Sequence, residues 1–288
     1  MGAARSITAR ELLELEPLGP GRFRSHRTQP NHSASMFGGQ LVGQALAAAA
    51  ALAPGKRANS LHGYFLHAGS TQAPIDYEVE TLREGRRFAV FRVSAFQDGK
   101  LIFHQHCSFM SSLPGFDHQA PCPTGLPGPE ELATVAEFVG ARAADLPTDT
   151  VSIYSTSFPL EVRLVEPERT FFGRYETPER AFWVRIPSAA ELADPIMHQC
   201  VVAFVTDYWL VGVAATPHIP MRERNRMGIV SLDHAVWFHR PARADEWMLY
   251  VTDSPSAQEG RGLGRGLLYG ADGALIASTA QEGLFTPP

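Results

Sequence analysis

Within the run Ile196 to Val213 (IMHQCVVAFVTDYWLVGV) stands a single carboxylate, Asp207. An ionised Asp without a partner in an apolar interior costs several kcal/mol, so it must be hydrogen-bonded, protonated or turned toward a wet pocket. The plain reading is a structural carboxylate capping a loop. The chemical reading is a group whose proton affinity is tuned for acid–base work. The other reactive residue types form weaker patterns. His104 and His106, two apart on an expected strand, share a face, yet neither a helical HExxH nor a His/Cys set with zinc spacing accompanies them, so no metal site is expected. Asp233 and His234 are strand neighbours and point apart, as do His234 and His239 across their odd interval. A serine nucleophile would need G-x-S-x-G, which does not occur, and Cys107 lacks a His–Asn context. Gly38-Gly39 has neither the Walker lysine nor the dinucleotide spacing; these glycines permit close packing or present N–H groups to a ligand.

The elements that must position these residues follow from periodicity. Asp194 and Pro195 form a helix start, and the nearly all-apolar stretch from Cys200 to Val213 predicts a helix buried on every side, with Asp207 in its middle. It is too short between Asp194 and Pro217, and too interrupted by Asp207, to read as a membrane span. A second helix is opened by Phe37-Gly38-Gly39-Gln40, runs through LVGQALAAAAALA and stops at Pro54-Gly55; its small side chains imply close contact with a sheet that wraps it. A short helical turn is expected at Glu11–Leu15 and a strand at RFRSHR, with Phe23 inward. Further strands are expected at Ser60–His67, Ile75–Arg83, Phe88–Gln97 and Leu101–Met110, the last two joined by an Asp98-Gly99 hairpin. Pro and Gly crowd between Leu113 and Pro129, and a short amphipathic helix follows. Strands are then expected at Leu160–Val165, Thr170–Tyr175, Ala181–Ile186, Ile229–Arg240, Glu246–Asp253, Leu263–Tyr269 and Ala274–Phe285.

The second half repeats the first. Asp98-Gly99-Lys100-Leu101-Ile102 matches Asp272-Gly273-Ala274-Leu275-Ile276, Arg83-Glu84-Gly85-Arg86 resembles Gln258-Glu259-Gly260-Arg261, and Ser60-Leu61-His62 resembles Ser231-Leu232-Asp233. Three matches in one order, half a chain apart, indicate a duplicated α+β unit, a curved antiparallel sheet about one central helix. The units are expected at residues 1–112 and 156–288, joined by a linker with a short helix at 113–155.

Several stretches together resemble the acyl-CoA thioesterase II family: Phe37-Gly38-Gly39-Gln40 with Gly43-Gln44-Ala45, the Asp207-Tyr208 pair, Ser231 to His234 continuing through Trp237-Phe238-His239-Arg240-Pro241, and the ending Ala277 to Gly283. The resemblance runs over nearly the whole chain and is weakest in the Pro-rich linker. It implies a double hotdog, two tandem units pairing their sheets on one chain, that hydrolyses fatty acyl-CoA to free acid and CoA without cofactor or metal. It also implies a catalytic set of Asp207, Ser231 and Gln281, Ser standing where some members have Thr, with Asp207 activating or orienting a water that the other two position. Gly38 and Gly39 are expected to contact substrate, and a dimer or tetramer is implied. No acid occurs between Phe37 and Ala53, and the Asp-Gly hairpins set Cys107 opposite Gln281, while the Ser60 match keeps a hydroxyl. One complete catalytic set per chain is therefore expected. Two rival readings are a hotdog hydratase or dehydratase, which would need a catalytic His such as His198, and a non-catalytic acyl-CoA sensor.

Composition sets the outer bounds. The chain has 288 residues, enough for two ordinary domains, and 44% hydrophobic residues, enough for a sizeable core. Charged residues at 19% are too few for a disordered chain, and a net charge of −5 with no basic run argues against a nucleic-acid partner. Cys107, Cys122 and Cys200 form an odd, scattered set that suggests a reducing compartment, and no apolar signal core precedes Gly19, so a cytoplasmic location is expected. Gly2 and Ser6 meet the loose myristoylation pattern, which short sequences satisfy by chance.

Overall fold

The computed structural model describes residues 7–31, 35–155 and 158–286. Outside them lie the Gly2/Ser6 pattern, part of the polar stretch from Asn31 to Ser35, and Thr156, where the second unit is expected to begin. The strands are β1 (Glu16–Gly19), β2 (Arg22–Ser25), β3 (Arg57–Phe65), β4 (Ile75–Glu84), β5 (Phe88–Gln97), β6 (Lys100–Met110), β7 (Glu161–Leu164), β8 (Glu179–Arg185), β9 (Gly228–Ser231), β10 (Asp233–Phe238), β11 (Met248–Gln258), β12 (Arg261–Gly270) and β13 (Leu275–Thr286). The helices are α1 (Ala9–Leu13), α2 (Gly38–Ala50), α3 (Val135–Ala141), α4 (Thr148–Ser155), α5 (Pro167–Phe172) and α6 (Pro195–Thr206). All the strands join one antiparallel sheet in the order β1-β2-β4-β5-β6-β3-β10-β13-β12-β11-β8-β7, with β9 also on β13. The duplicated halves meet at its centre, where β3 pairs with β10 and Gly63 faces His234. This is the α+β hotdog architecture.

Helices α2 and α6 lie antiparallel against each other, backbone to backbone. A Cβ on Gly39 would stand 2.5 Å from the Phe204 carbonyl oxygen, and one on Gly43 would stand 2.9 Å from that of Cys200. Spaced four apart, these glycines form a groove along one helical face that only hydrogen can line. The glutamines beside them are fully buried and satisfied. Gln40 donates to the Arg27 carbonyl and accepts from the Gln29 N–H at 2.6 and 2.5 Å. Gln44 donates to the Leu12 carbonyl at 2.6 Å and accepts from the Tyr77 hydroxyl at 2.7 Å. The Gly-Gln pattern thus ties α2 to α6 on one side and to the incoming chain on the other.

The structure departs from the sequence expectations in four places. The apolar helix ends at Thr206, so Asp207 is its C-cap and not a mid-helix residue. Trp209 adopts a left-handed φ of 62°, the Tyr250 hydroxyl takes the Thr206 carbonyl at 3.0 Å, and a 3₁₀ turn over Val211–Ala215 follows. Hydropathy alone does not register such a break: Pro195–Ala215 has the length and apolarity of a membrane-crossing helix, and 89% of its most apolar window is buried inside the protein. The stretch expected as strand Thr170–Tyr175 begins within α5; Pro167 sits in the helix's first turn, and Phe171 packs edge-on to Tyr154 and beside Phe138. The expected strand Ile229–Arg240 is interrupted at Leu232, whose N–H goes to Glu282 of β13 and whose carbonyl goes to Phe65 of β3. Between the halves are two helices, α3 and α4, where the sequence predicts one, and the Pro-rich segment before them straps across the second half. There Gln119 brackets Gly273 and Leu275, and Trp183 and Tyr269 bond to Pro127 and Pro121.

The glycine groove gives a direct test. Gly43→Ala forces a methyl group against the Cys200 carbonyl and should cost about 1–3 kcal/mol in urea unfolding. Gly140→Ala, on exposed α3 with nothing within 4 Å of its added Cβ, should be neutral or stabilising. Equal effects would remove close helix contact as the reason for Gly43.

Candidate active site

Three elements that are far apart in sequence converge on the C-terminal end of α6. Asp207 caps that helix, Ser231 ends β9 and Gln281 lies within β13. The Gln281 amide nitrogen donates to Asp207 Oδ1 at 2.5 Å and to Ser231 Oγ at 3.0 Å. Its amide oxygen accepts the Val211 N–H at 3.2 Å. That backbone donor fixes the amide orientation, because only the nitrogen is then left to face the carboxylate and the hydroxyl. Gln281 is fully buried, Asp207 is 8% exposed, and Ser231 is half-buried.

Ser231 faces inward because the strand is irregular. Ser231 stands opposite buried Gly283, whereas Ala235 stands opposite Ala280 and Trp237, 39% exposed, opposite Ser278. In an unbroken strand Ser231, Ala235 and Trp237 would share one face, and that face points out. A one-residue register shift at Leu232 turns Ser231 to the interior. Asp233 covers the defect, its Oδ1 accepting the Glu282 N–H at 2.7 Å.

The same irregularity occurs between Ala58 and Ser60 in the first half, and it corrects one expectation. Ala58 stands opposite buried Phe109, while Ser60 pairs with Ser108 on the outer face. The counterpart of Ser231 is therefore Ala58, not Ser60, and the first half lacks the hydroxyl as well. With Ala51 as the C-cap of α2 and Cys107 in register with Gln281, the three matching positions of that half carry no carboxylate, hydroxyl or side-chain amide.

Beyond Asp207 begins the neighbouring helix. Phe37, the N-cap of α2, provides no side-chain cap, so the first N–H groups of the helix are left for other acceptors. Burial raises the Asp207 pKa from the ordinary 3.8 to about 6, opposed by the Gln281 hydrogen bond and the Gly39 backbone N–H. A Cβ on Gly38 would meet the Phe65 ring at 2.9 Å and Asp207 Oδ2 at 3.1 Å, so glycine leaves the only room at this point. Phe37 packs edge-on against Phe158, Phe204 and Tyr208, an apolar wall beside the polar cluster. The residue that sequence patterns missed is a backbone donor, the Val211 N–H, because an amide's orientation leaves no side-chain signature; Gly39, expected to present its N–H to a ligand, gives it to Asp207.

The other candidates fall elsewhere. His198 lies nine residues before Asp207, roughly 13 Å along the helix, and both its ring nitrogens serve backbone groups, the Leu192 carbonyl at 3.0 Å and the Ala244 N–H at 3.2 Å. His234 is buried, bonded to Thr206 Oγ1 at 3.0 Å, and its pKa is lowered by burial to about 3, so it is neutral. Cys107 is buried, and burial pushes its thiol up to about 12, far from a nucleophile. His104 and His106 share the outer face of β6 with ring centres 6.2 Å apart, and no third ligand joins them among the described residues.

The raised carboxylate makes a linkage prediction. The folded-state value lies above that of the unfolded chain, so between pH 4 and 6 the folded state holds the proton more tightly, and stability falls as pH rises across that window. Measured against Asp207→Asn by urea unfolding, the wild type should lose roughly 2 kcal/mol from pH 4 to pH 7. A difference that stays flat with pH would show that Asp207 titrates normally.

Comparison with known proteins agrees with this architecture. Residues 151–284 match the family model for acyl-CoA thioesterase, and residues 26–110 match that for the acyl-CoA thioesterase N-terminal domain. Acyl-coenzyme A thioesterase 8 of Rattus norvegicus is 39% identical over 98% of this chain and 90% of its own length. Acyl-CoA thioesterase 2 of Haemophilus influenzae is 36% identical over 95% of both chains. The crystal structure of the acyl-CoA thioesterase II TesB2 from Mycobacterium marinum superposes with a TM-score of 0.77 at 33% identity, covering 97% of this chain and 98% of that one. The chain thus belongs to the acyl-CoA thioesterase family, and it is a thioester hydrolase.

Proposed function

We propose that hydrolysis proceeds by direct attack of a water held by Asp207, Ser231 and Gln281, on fatty acyl-CoA, at one site per chain. The observation that carries this reading is the shared amide nitrogen of Gln281, to which a nearly buried carboxylate and a hydroxyl are each hydrogen-bonded. A water bound there donates one proton to Asp207, and its oxygen attacks the thioester carbonyl carbon. The carbonyl electrons move onto oxygen, and in this reading the N–H of Gly38, which opens α2, receives that charge, the Gly39 N–H being held by Asp207. The carbon–sulfur bond then breaks, the thiolate of CoA leaves and takes the proton from Asp207, and the acid is released. Nothing in this sequence needs a covalent enzyme intermediate. The aromatic wall of Phe37, Phe65, Phe158 and Phe204 suits an apolar acyl chain. The carboxylate's raised proton affinity serves the same end, since a base poised near the working pH both binds and returns a proton readily. Ala51, Ala58 and Cys107 leave the first half without these groups, which supports a single centre.

Release of CoA thiol from acyl-CoAs of graded chain length tests this. Asp207→Asn should lower kcat/KM about 10²–10⁴-fold with the fold intact, and Ser231→Ala or Gln281→Ala about 100-fold. In the wild type kcat/KM should rise with pH through about 6 and level off above it. Full activity in Asp207→Asn removes it as the base; acyl-CoA binding without thiol release favours the sensor.

A further inference from the structure

Arg180 occupies a core-facing position of β8, on the same face as Phe182 and Val184, and is only 3% exposed. One guanidinium nitrogen donates to the Trp209 carbonyl, while its Nε and Nη1 have no hydrogen-bond partner. The cation rests against the Trp209 ring, 5.3 Å from its centre. Arg224 lies close by and donates to the Gly212 carbonyl, its guanidinium filling the space that a Cβ on that glycine would take. Neither arginine forms an ion pair among the described residues, and each nearby acid is committed elsewhere, Glu166 to Arg169 and Glu223 to Arg222 and Arg226. Burial, and after it the neighbouring Arg224, lowers the Arg180 pKa to about 10, opposed by Tyr175, Tyr154 and Tyr208, so it stays protonated at neutral pH.

Between the two arginines lies a cavity of about 10 Å³, lined also by Thr170, Gly173, Tyr175 and Thr216, with room for one water-sized occupant. Thr170 Oγ1 and Tyr175 OH share one hydrogen bond of 2.7 Å, which leaves the hydrogen of one of them free. The site therefore offers two neighbouring positive charges, unpaired N–H donors and a hydroxyl, and no carboxylate. A water would satisfy donors but leave two like charges uncompensated; a small anion answers both needs.

We propose that this cavity is a binding site for one monatomic halide, chloride by size and charge, held between Arg180 and Arg224. Through the two carbonyls these arginines hold, the anion fastens the segment Trp209–Gly212. That segment joins Asp207 to Val211, whose N–H orients Gln281, so the halide acts as a positioning ion one step removed from the reacting atoms. A phosphate or a carboxylate is too large for the space.

Two measurements on the wild-type protein decide the matter without turnover. Crystals soaked in bromide should give an anomalous peak between the two guanidinium groups, and a map with no peak there overturns the site. Thermal unfolding with chloride replacing gluconate at constant ionic strength should show a saturable rise of a few degrees. Arg180→Met and Arg224→Met should each abolish that rise. A salt response that does not saturate, or that persists in both variants, also overturns the proposal; if Arg180→Met fails to fold, Arg224→Met and the bromide map still give the answer.

Discussion

Close approach of α2 to α6 is the constraint on which the rest of the molecule depends. Because Gly39 and Gly43 let the backbones touch, the start of α2 is set against the end of α6, and the helices run antiparallel with their dipoles head to tail. The carboxylate at Asp207 thus stands where one helix's carbonyls end and another's free N–H groups begin. A wider gap, filled by side chains, would leave Asp207 facing its own helix alone.

Space at the bottom of the site is provided in the same way. The segment after Asp207 turns back across β12 and β13, and it fits because those strands present glycine where it passes. A Cβ on Gly264 would stand 2.6 Å from the Leu210 carbonyl, and one on Gly283 would strike the Val211 side chain. Leu210 and Val211 are therefore held against the sheet with no side chain between, and the Val211 N–H reaches Gln281. Gly262 and Gly264 of Gly-Leu-Gly-Arg-Gly belong to that fit, while Gly266 makes room for the Tyr250 ring and Thr279, and the glycines weaken the strand's own propensity to allow it.

Duplication explains both the symmetry and its loss. Each half retains the central helix and the strand irregularity that turns one residue inward, at Leu232 in one half and at Asn59 in the other. What differs is the chemistry on that common frame: Asp207, Ser231 and Gln281 in one half, Ala51, Ala58 and Cys107 in the other. The second set, with Ala58 and Cys107 buried and Ala51 exposed, has no charge to desolvate, whereas the first must keep a carboxylate nearly dry and supply it with donors. Packing is indifferent to which half carries that cost, so one half can be wholly structural.

The sequence by itself determined the elements and their repetition. Strand alternation, the Asp98-Gly99 turn with φ of 49° and 75°, and the Ala-rich helix between Phe37 and Pro54 are local properties, written in residue types a few positions apart. It also marked Asp207 as a carboxylate in need of a partner, and the family resemblance brought Ser231 and Gln281 to it. Tertiary structure alone decided three things. It ended the apolar helix at Thr206, because Trp209 could enter the left-handed region only with Arg180 and Tyr250 holding the carbonyls around it. It turned Ser231 inward and left Ser60 outward, since facing depends on register against a partner strand and one extra residue reverses it. And it buried Arg180 beside Arg224, a pairing of like charges that no spacing predicts, because the two residues come from separate walls of one small cavity.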